Sequence, residues 1–314
     1  MKAVEISRKA IKGVNNIVNF TVLTIILLLL AFAGYALWDS NQIYQAADKS
    51  RYAVYKPTIA DEGKSFKELQ TLNTEVIAWL SVYGTNIDYP VTQGKDNAKY
   101  VNTNVEGLYS LSGSLFLNYS SSKDFSDFSN ILYGHHMEKN TMFGEIGNFS
   151  DKTMFDSHQY GNLYFNEKNH GIEFFAFVHT DAYDKMVFTP NVGEEQQQEF
   201  LDYLIKKAKY KRDIGITTED RIILLSTCSS SSTNGRDILI GKINDEVYDD
   251  PFSKIKTNDK KEQVYVDSKV SSLENVPYRM LLPPLFILII LVFIIKHNYK
   301  AKQNKVNYRS EDKS

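Results

Sequence analysis

Two uncharged apolar stretches near the ends of the 314-residue chain restrict its possible folds more than any other feature. Residues 17–38 include no charge, and as a helix they would span roughly 33 Å, enough for the ~30 Å hydrocarbon core of a bilayer. Residues 280–295 form a second stretch of about 24 Å, interrupted by Pro283 and Pro284. The sequence therefore predicts two transmembrane helices. A cleaved signal peptide is the alternative for the first, because Ala31–Ala33 is similar to a cleavage site.

Basic residues flank both stretches on their terminal sides. Residues 1–16 carry four basic residues and one acidic residue, and residues 296–314 carry six basic and two acidic residues. Because basic flanks stay in the cytoplasm, both termini are predicted to be cytoplasmic and the part between the spans extracellular. The whole chain has a formal net charge of −2, so the part between the two tails is strongly acidic. This charge argues against nucleic acid as a partner.

The apolar stretches and the polar segments beside them divide the chain into seven predicted parts. These are a cytoplasmic N-terminus (1–16), a transmembrane helix (17–38), an extracellular stalk (39–64), a folded domain (65–253), a tether (254–279), a second transmembrane helix (280–295) and a cytoplasmic tail (296–314). The predicted location is therefore the cell membrane, with the folded domain outside the cell.

Short runs rich in Ile, Val, Phe and Tyr dominate the predicted folded domain, and turn-forming residues bound each of them. Eight such runs predict strands: 86–93, 113–120, 129–136, 162–166, 172–183, 185–190, 221–229 and 237–243. Their number and spacing predict a closed or nearly closed β-barrel. The fold class is therefore mainly β with accessory helices.

Three segments in the same domain have helical spacing. The first is an N-terminal helical segment whose apolar face runs from Phe66 to Leu80, with Gly84 ending it. The second, residues 193–210, lies between the sixth and seventh predicted strands, and a short helical piece is predicted around residues 142–151.

Cys228 is the only cysteine in the chain, and it ends the seventh predicted strand. A lone thiol is either an inert core residue or a reactive group. Arg236 follows eight residues later and opens the next strand, so a hairpin would bring the two residues to facing positions. A guanidinium there could stabilise both a thiolate and the oxyanion of an attacked carbonyl.

The partner of such a thiol should be a histidine that moves protons. His135 and His136 are the strongest candidates, because they follow an apolar strand and Gly134, where the backbone can turn toward a cleft. His179 also follows an apolar strand and is a weaker candidate. The residues alone leave His135 and His136 as alternatives. One cysteine and scattered histidines lack the spacing of zinc ligands, so no metal or cofactor is predicted.

Several segments together resemble class B sortases. "LSTC", followed by an arginine eight positions on and then "ILIGKI", is similar to the sortase active-site strand pair, and "ILYGHHMEKNTMFGEIGNF" is similar to the class B histidine segment. The resemblance covers roughly residues 71–243, with the motifs in the same order. It implies an eight-stranded sortase-type barrel in a catalytic domain at 65–253, acting as a cysteine transpeptidase. It also implies that Cys228 is the nucleophile, His135 the acid/base and Arg236 the group that stabilises the oxyanion and positions the substrate.

The resemblance also implies a substrate. Members cleave a C-terminal sorting signal of a secreted protein after Thr, and pass the protein to an amine of a peptidoglycan precursor or to a pilin lysine. Asn97 and Val101 match positions near the sorting-signal groove, and Thr180 and Ser226 are expected to line it too. Ser229–Ser232 depart from the pattern, because class B members often carry an aromatic or acidic residue directly after the cysteine.

Two other functions remain open at this stage. One is a membrane-tethered cysteine hydrolase, in which water resolves the acyl-enzyme. The other is a non-enzymatic barrel that binds wall polymer.

Overall fold

The structure is a computed structural model that describes residues 2–58, 63–229 and 233–253. The predicted second span, the tether and the C-terminal tail lie outside the described residues, as do Ser230–Ser232. Within the described residues, contacts divide the chain into two compact units, one that ends at Asn41 and one that begins at Gln42.

Helix α1 (Lys2–Ala46) contains the first apolar stretch. Its most apolar 18-residue window has a mean hydropathy of 2.5, and none of that window is buried. Among the described residues it is the one helix long and apolar enough to cross a membrane. The prediction of a continuous helix over residues 17–38 is therefore confirmed.

The described residues of the second unit include nine strands, and eight of these close into a barrel. They are β1 (Val76–Val82), β2 (Asp88–Thr92), β3 (Leu115–Leu117), β4 (Ser129–Tyr133), β5 (Tyr160–Phe165), β6 (Lys168–Asp181), β7 (Tyr210–Lys211), β8 (Arg221–Cys228) and β9 (Gly235–Asn244). The strand order is β5-β1-β2-β3-β4-β8-β9-β6, and pairing of β5 with β6 closes the ring. The short β7 extends β6 at its side. The β2–β3 and β4–β8 pairs are parallel and the others are antiparallel. The predicted eight-stranded barrel is confirmed.

In the part of the chain that the structure describes, three further α-helices accompany the barrel: α2 (Lys64–Leu72), α3 (Lys152–Ser157) and α4 (Glu194–Lys207). Helix α4 confirms the predicted helix before the last strand pair. Its buried residues Phe200, Leu201 and Leu204 pack on the outer face of the sheet together with Ile222 and Leu224 of β8. The alternate residues of β8 belong to the core inside the barrel, so this strand is buried on both faces.

Two predicted elements were wrong. Residues 76–82 were predicted as helix but form β1, because α2 ends at Leu72 and the side chain of Asn73 donates to the carbonyl of Val105 (2.7 Å). Residues 185–190 were predicted as a strand but form a turn, in which the N–H of Phe188 donates to the carbonyl of Asp184 (3.1 Å). The missed strand β1 and the wrongly predicted strand at 185–190 offset each other. The predicted number of eight barrel strands is therefore right, although one of the eight was assigned to the wrong residues.

Part of the predicted stalk packs on the barrel. Ala47 and Tyr52 are buried, and the hydroxyl of Tyr89 donates to the carbonyl of Ala47 (2.9 Å). The ammonium of Lys56 contacts Asp88 at 2.7 Å. The packed domain therefore begins before residue 65.

Asp184 fixes the turn between β6 and α4. Its carboxylate accepts hydrogen bonds from Thr180 (2.7 Å), Tyr203 (3.0 Å) and Lys207 (2.5 Å). Burial alone would raise the pKa of this carboxyl, but the hydrogen bonds from Lys207 and Thr180 outweigh burial and lower the pKa to about 2. A pKa below the unfolded value means that the carboxylate stabilises the fold above about pH 4, and that this contribution is lost as the pH falls toward 2.

We expect Asp184→Asn to lower the free energy of unfolding by about 2 kcal/mol at pH 7, because a charged acceptor of several hydrogen bonds is lost. The difference from the unchanged chain should narrow below pH 4, as measured by urea unfolding at pH 7 and pH 3. Asp202→Asn on the exposed side of α4 is the control and should change stability by less than about 0.5 kcal/mol. An equal effect of Asp184→Asn at both pH values would contradict the assigned role.

Candidate active site

Pairing of β8 with its two neighbours brings three sequence-distant segments to one end of the barrel. In the parallel pair, Tyr133 of β4 lies opposite Ser226, and the N–H of Gly134 donates to the carbonyl of Ser226 (3.2 Å). In the antiparallel pair, Cys228 lies directly opposite Arg236. The predicted hairpin placement of the thiol and the guanidinium is therefore confirmed, and the histidine loop leaves the sheet beside them.

A cleft of about 440 Å³ lies at this end of the barrel. Cys228, His135 and Arg236 line it, and so do three of the four residues expected at a substrate groove: Asn97, Val101 and Ser226. The remaining lining is Phe116, Tyr133, Gly134, Ala182, Phe188 and Thr227. The structure thus brings six of the seven predicted site residues together.

The thiol and the guanidinium sit at the rim of the sheet. Cys228 is exposed, unlike the six residues that precede it in β8, so an incoming substrate can reach its sulfur. Arg236 is half-buried, and its Nη1 donates to the carbonyl of Gly235 (2.9 Å). That bond uses one of five guanidinium N–H groups and leaves the charge near the thiol.

His135 is held by the backbone of a neighbouring loop. Its Nε2 lies 2.8 Å from the carbonyl oxygen of Val101. A carbonyl only accepts hydrogen bonds, so the proton of the neutral ring is assigned to Nε2, and Nδ1 carries the lone pair. Val101 therefore contributes its backbone carbonyl to the cleft, a role that its residue type does not signal.

Thr180 departs from the expectation that it lines the groove. It is buried and absent from the cleft lining, because its hydroxyl donates to Asp184 at 2.7 Å. Ala182 and Phe188, on the turn that Asp184 fixes, line the cleft in its place. Sequence reasoning missed both, because the turn had been read as a strand.

The other histidines in the described part of the chain lie elsewhere. His136 and His179 line a separate cleft of about 710 Å³. His158 stacks on Phe252, and the buried ring of His170 stacks on Phe165. Within the described residues, no group of three or more His, Cys, Asp and Glu side chains could hold a metal ion.

A curated relative decides the family. Sortase B of Staphylococcus aureus (strain NCTC 8325 / PS 47) is 30% identical over 182 residues, which cover 57% of this chain and 74% of the relative. The chain belongs to the class B sortase family. It is therefore a cysteine transpeptidase, and the family predicted from the motifs is confirmed. Family membership also argues against a non-enzymatic barrel. No protein-family model matches the chain.

Two solved sortase structures are similar as well. Sortase B from the type II pilus of Streptococcus pneumoniae is 45% identical, with a TM-score of 0.51, over 58% of this chain and 99% of that one. A Streptococcus pyogenes class B sortase involved in pilus biogenesis is 41% identical, with a TM-score of 0.54, over 58% and 100%. The barrel of this sortase is thus the fold of its relatives.

Gly134 leaves no room for a side chain beside His135. A Cβ at this position would overlap Leu115 and would lie 2.6 Å from a ring carbon of Phe143. We expect Gly134→Ala to displace His135 and to lower kcat/KM about 10- to 100-fold, because misplacing a reacting group by about 1 Å has effects of this size.

The measurement is release of the leaving peptide from a sorting-signal peptide, together with thermal unfolding to separate misplacement from instability. Gly193→Ala is the matched control, because nothing lies within 4 Å of its added Cβ. Full activity of a folded Gly134→Ala chain would show that the site tolerates a shifted histidine loop.

Proposed function

We propose that this sortase cleaves the C-terminal sorting signal of a secreted protein after a threonine and transfers the protein to an amine. The observation that carries the proposal is the meeting of Cys228, His135 and Arg236 in one cleft of about 440 Å³. Its lining aromatic residues provide an apolar surface for the signal peptide, and the thiol is accessible from solvent.

In the first half-reaction, Nδ1 of His135 takes the proton of the Cys228 thiol, and the sulfur attacks the carbonyl carbon of the threonine. The guanidinium of Arg236 stabilises the resulting oxyanion. The imidazolium then gives its proton to the nitrogen of the leaving peptide as the C–N bond breaks. The product is a thioester between the threonine acyl group and Cys228.

In the second half-reaction, an amine attacks the thioester carbonyl. A C–N bond forms, the C–S bond breaks, and the proton shed by the attacking nitrogen passes through His135 to the departing sulfur. The acceptor is an amine of a peptidoglycan precursor or a pilin lysine. The two similar pilus sortases favour the pilin lysine.

Removal of the proposed groups should have graded effects on peptide cleavage. We expect Cys228→Ala to reduce it about 10⁴-fold or more, because the nucleophile is lost, and Arg236→Ala to reduce it about 10²- to 10³-fold, because one oxyanion partner is lost. Cleavage by each variant is measured on a set of Thr-containing signal peptides, and the products are identified by mass spectrometry.

Arg221→Ala is the matched control, since this arginine begins β8 at the far end of the strand and pairs with the exposed Asp245. Each amine is added in turn to the cleavage reaction. A new amide product of the expected mass supports transfer, whereas an acid product at the same rate with every amine indicates the hydrolase alternative.

We also propose that the enzyme is anchored in the cell membrane, with its catalytic domain outside the cell and both termini in the cytoplasm. Support for the anchor comes from the long apolar helix α1 and from the charge of the two ends. Under this proposal residues 17–38 and 280–295 span the bilayer, and residues 254–279 form the tether. Secreted proteins with a sorting signal would meet the cleft at the outer face.

The single cysteine makes this topology testable. We expect a membrane-impermeant methanethiosulfonate reagent to label Cys228 in intact cells, because the thiol is exposed. The control is Ser7→Cys in a Cys228→Ser chain, which should be labelled only after the membrane is disrupted. Labelling of Ser7→Cys in intact cells would place the N-terminus outside and reverse the proposed orientation.

A further inference from the structure

A second cleft, of about 710 Å³, opens beside the first. Three of its lining residues directly follow the three proposed catalytic residues: Ser229 follows Cys228, Asp237 follows Arg236, and His136 follows His135. Successive side chains of a strand point to opposite faces, so Arg236 and Asp237 face different sides of β9. Adjacent Cα atoms are about 3.8 Å apart, so the two clefts lie on either side of the same end of the β8–β9 hairpin.

A histidine–aspartate pair lies in the wall of this second cleft. His179 of β6 is directly opposite Asp237 of β9, and its Nδ1 donates to Oδ1 of Asp237 at 2.8 Å. The carboxylate is only 9% exposed, whereas the imidazole is 44% exposed. With the proton on Nδ1, Nε2 of the ring carries a lone pair that can accept a proton from a bound molecule. Asp237 stabilises the imidazolium that results.

The remaining polar groups of the cleft suit a cationic ligand. With neutral histidines, the carboxylates of Asp151 and Asp237 outnumber the one ammonium, that of Lys209, which already donates to the carbonyl of Ser150 (2.9 Å). The buried Nδ1 of His136 has no hydrogen-bond partner among the described residues. A net negative wall with acceptor groups favours an ammonium over an anion.

We propose that this second cleft binds the acceptor amine of the transpeptidation and that His179 removes the proton of its ammonium. The inference rests on the proposed function, since an acceptor is needed only if Cys228 forms a thioester. A primary amine is protonated at neutral pH and cannot attack a carbonyl in that form. Because β9 lies between β6 and β8, His179 and Cys228 are two strand spacings, about 10 Å, apart. The ammonium would lose its proton to His179 in the second cleft, and the free amine would then move to the thioester at the end of the hairpin.

The proton and bond changes balance. His179 takes one proton from the ammonium, and the free amine attacks the thioester carbonyl to form the C–N bond. The C–S bond breaks, and the second nitrogen proton passes to the departing sulfur of Cys228. His179 then returns its proton to solvent. Asp237 acts through His179 and is a positioning residue, whereas His179 touches the amine and is catalytic.

The test follows the fate of the thioester in the full-length chain in detergent. The acceptor probe is Nα-acetyl-lysine amide, and the products are the amide and the acid from one cleavable signal peptide at fixed pH. We expect His179→Gln to lower the amide-to-acid ratio about 100-fold, the usual size of a general-base effect. An unchanged ratio would overturn the proposal. Release of the leaving peptide, measured in the same reaction, reports separately on the proposed function.

Asp237→Asn provides a second variant with a different signature. It removes the buried charge but keeps the shape, so we expect a raised KM for the lysine probe together with a lower kcat of amide formation. Glu199→Gln, on the exposed side of α4, is the matched control and should change neither. A purely structural role of Asp237 would lower thermal stability and leave the KM for the amine unchanged.

A direct binding measurement tests whether the second cleft binds an ammonium group, even if a variant fails to fold or no peptide is cleaved. In the Cys228→Ala chain, the lysine probe should shift NMR signals of His179 and Asp237, whereas Nα-acetyl-norleucine amide, which has no ammonium, should not. Equal shifts with both probes, or none with either, would exclude an ammonium site in the second cleft.

Discussion

The pairing of β8 with β4 on one side and β9 on the other is the constraint on which the rest of the site depends. The parallel pair sets Tyr133 opposite Ser226, and the antiparallel pair sets Cys228 opposite Arg236. A slip of one residue in either pair would turn every side chain to the opposite face of the sheet. Burial prevents such a slip, since residues of β8 pack alternately inside the barrel and under α4. A stable core and a correct active site are thus consequences of the same register.

Local patterns predicted the parts of the site that depend on local contacts. Cys228 and Arg236 belong to one hairpin, so their spacing alone placed them face to face. Spacing could not choose between His135 and His136, because both follow Gly134 and either could turn toward the thiol. The fold separates them, with one ring in each cleft. That outcome depends on the path of a loop whose contacts come from distant residues, such as the carbonyl of Val101.

The errors in the secondary structure also have a tertiary origin. The apolar spacing from Phe66 to Leu80 fits a helix, yet residues 76–82 pair with β2 and β5, and the indole of Trp79 donates to Asp88 at 2.8 Å. Residues 185–190 have strand-like composition, but the carboxylate of Asp184 accepts the N–H of Val187 (3.3 Å) and the hydroxyl of Thr180. In both places partners far along the chain, or a single half-buried carboxylate, override the local preference.

A transpeptidase has to bring two substrates to one sulfur and to favour the amine over water, which is always present. The end of the β8–β9 hairpin can bring two substrates together, because successive side chains point to opposite faces and each face has its own cleft. The thiol of Cys228 lies at the end of the hairpin, between the two faces. Ser229 lines the second cleft and directly follows Cys228, the proposed nucleophile. An aromatic or acidic residue there would change the volume or the charge of the second cleft and leave the first one intact. If the second cleft binds the acceptor amine as proposed, Ser229 is therefore better placed to influence the choice of amine than the choice of sorting signal.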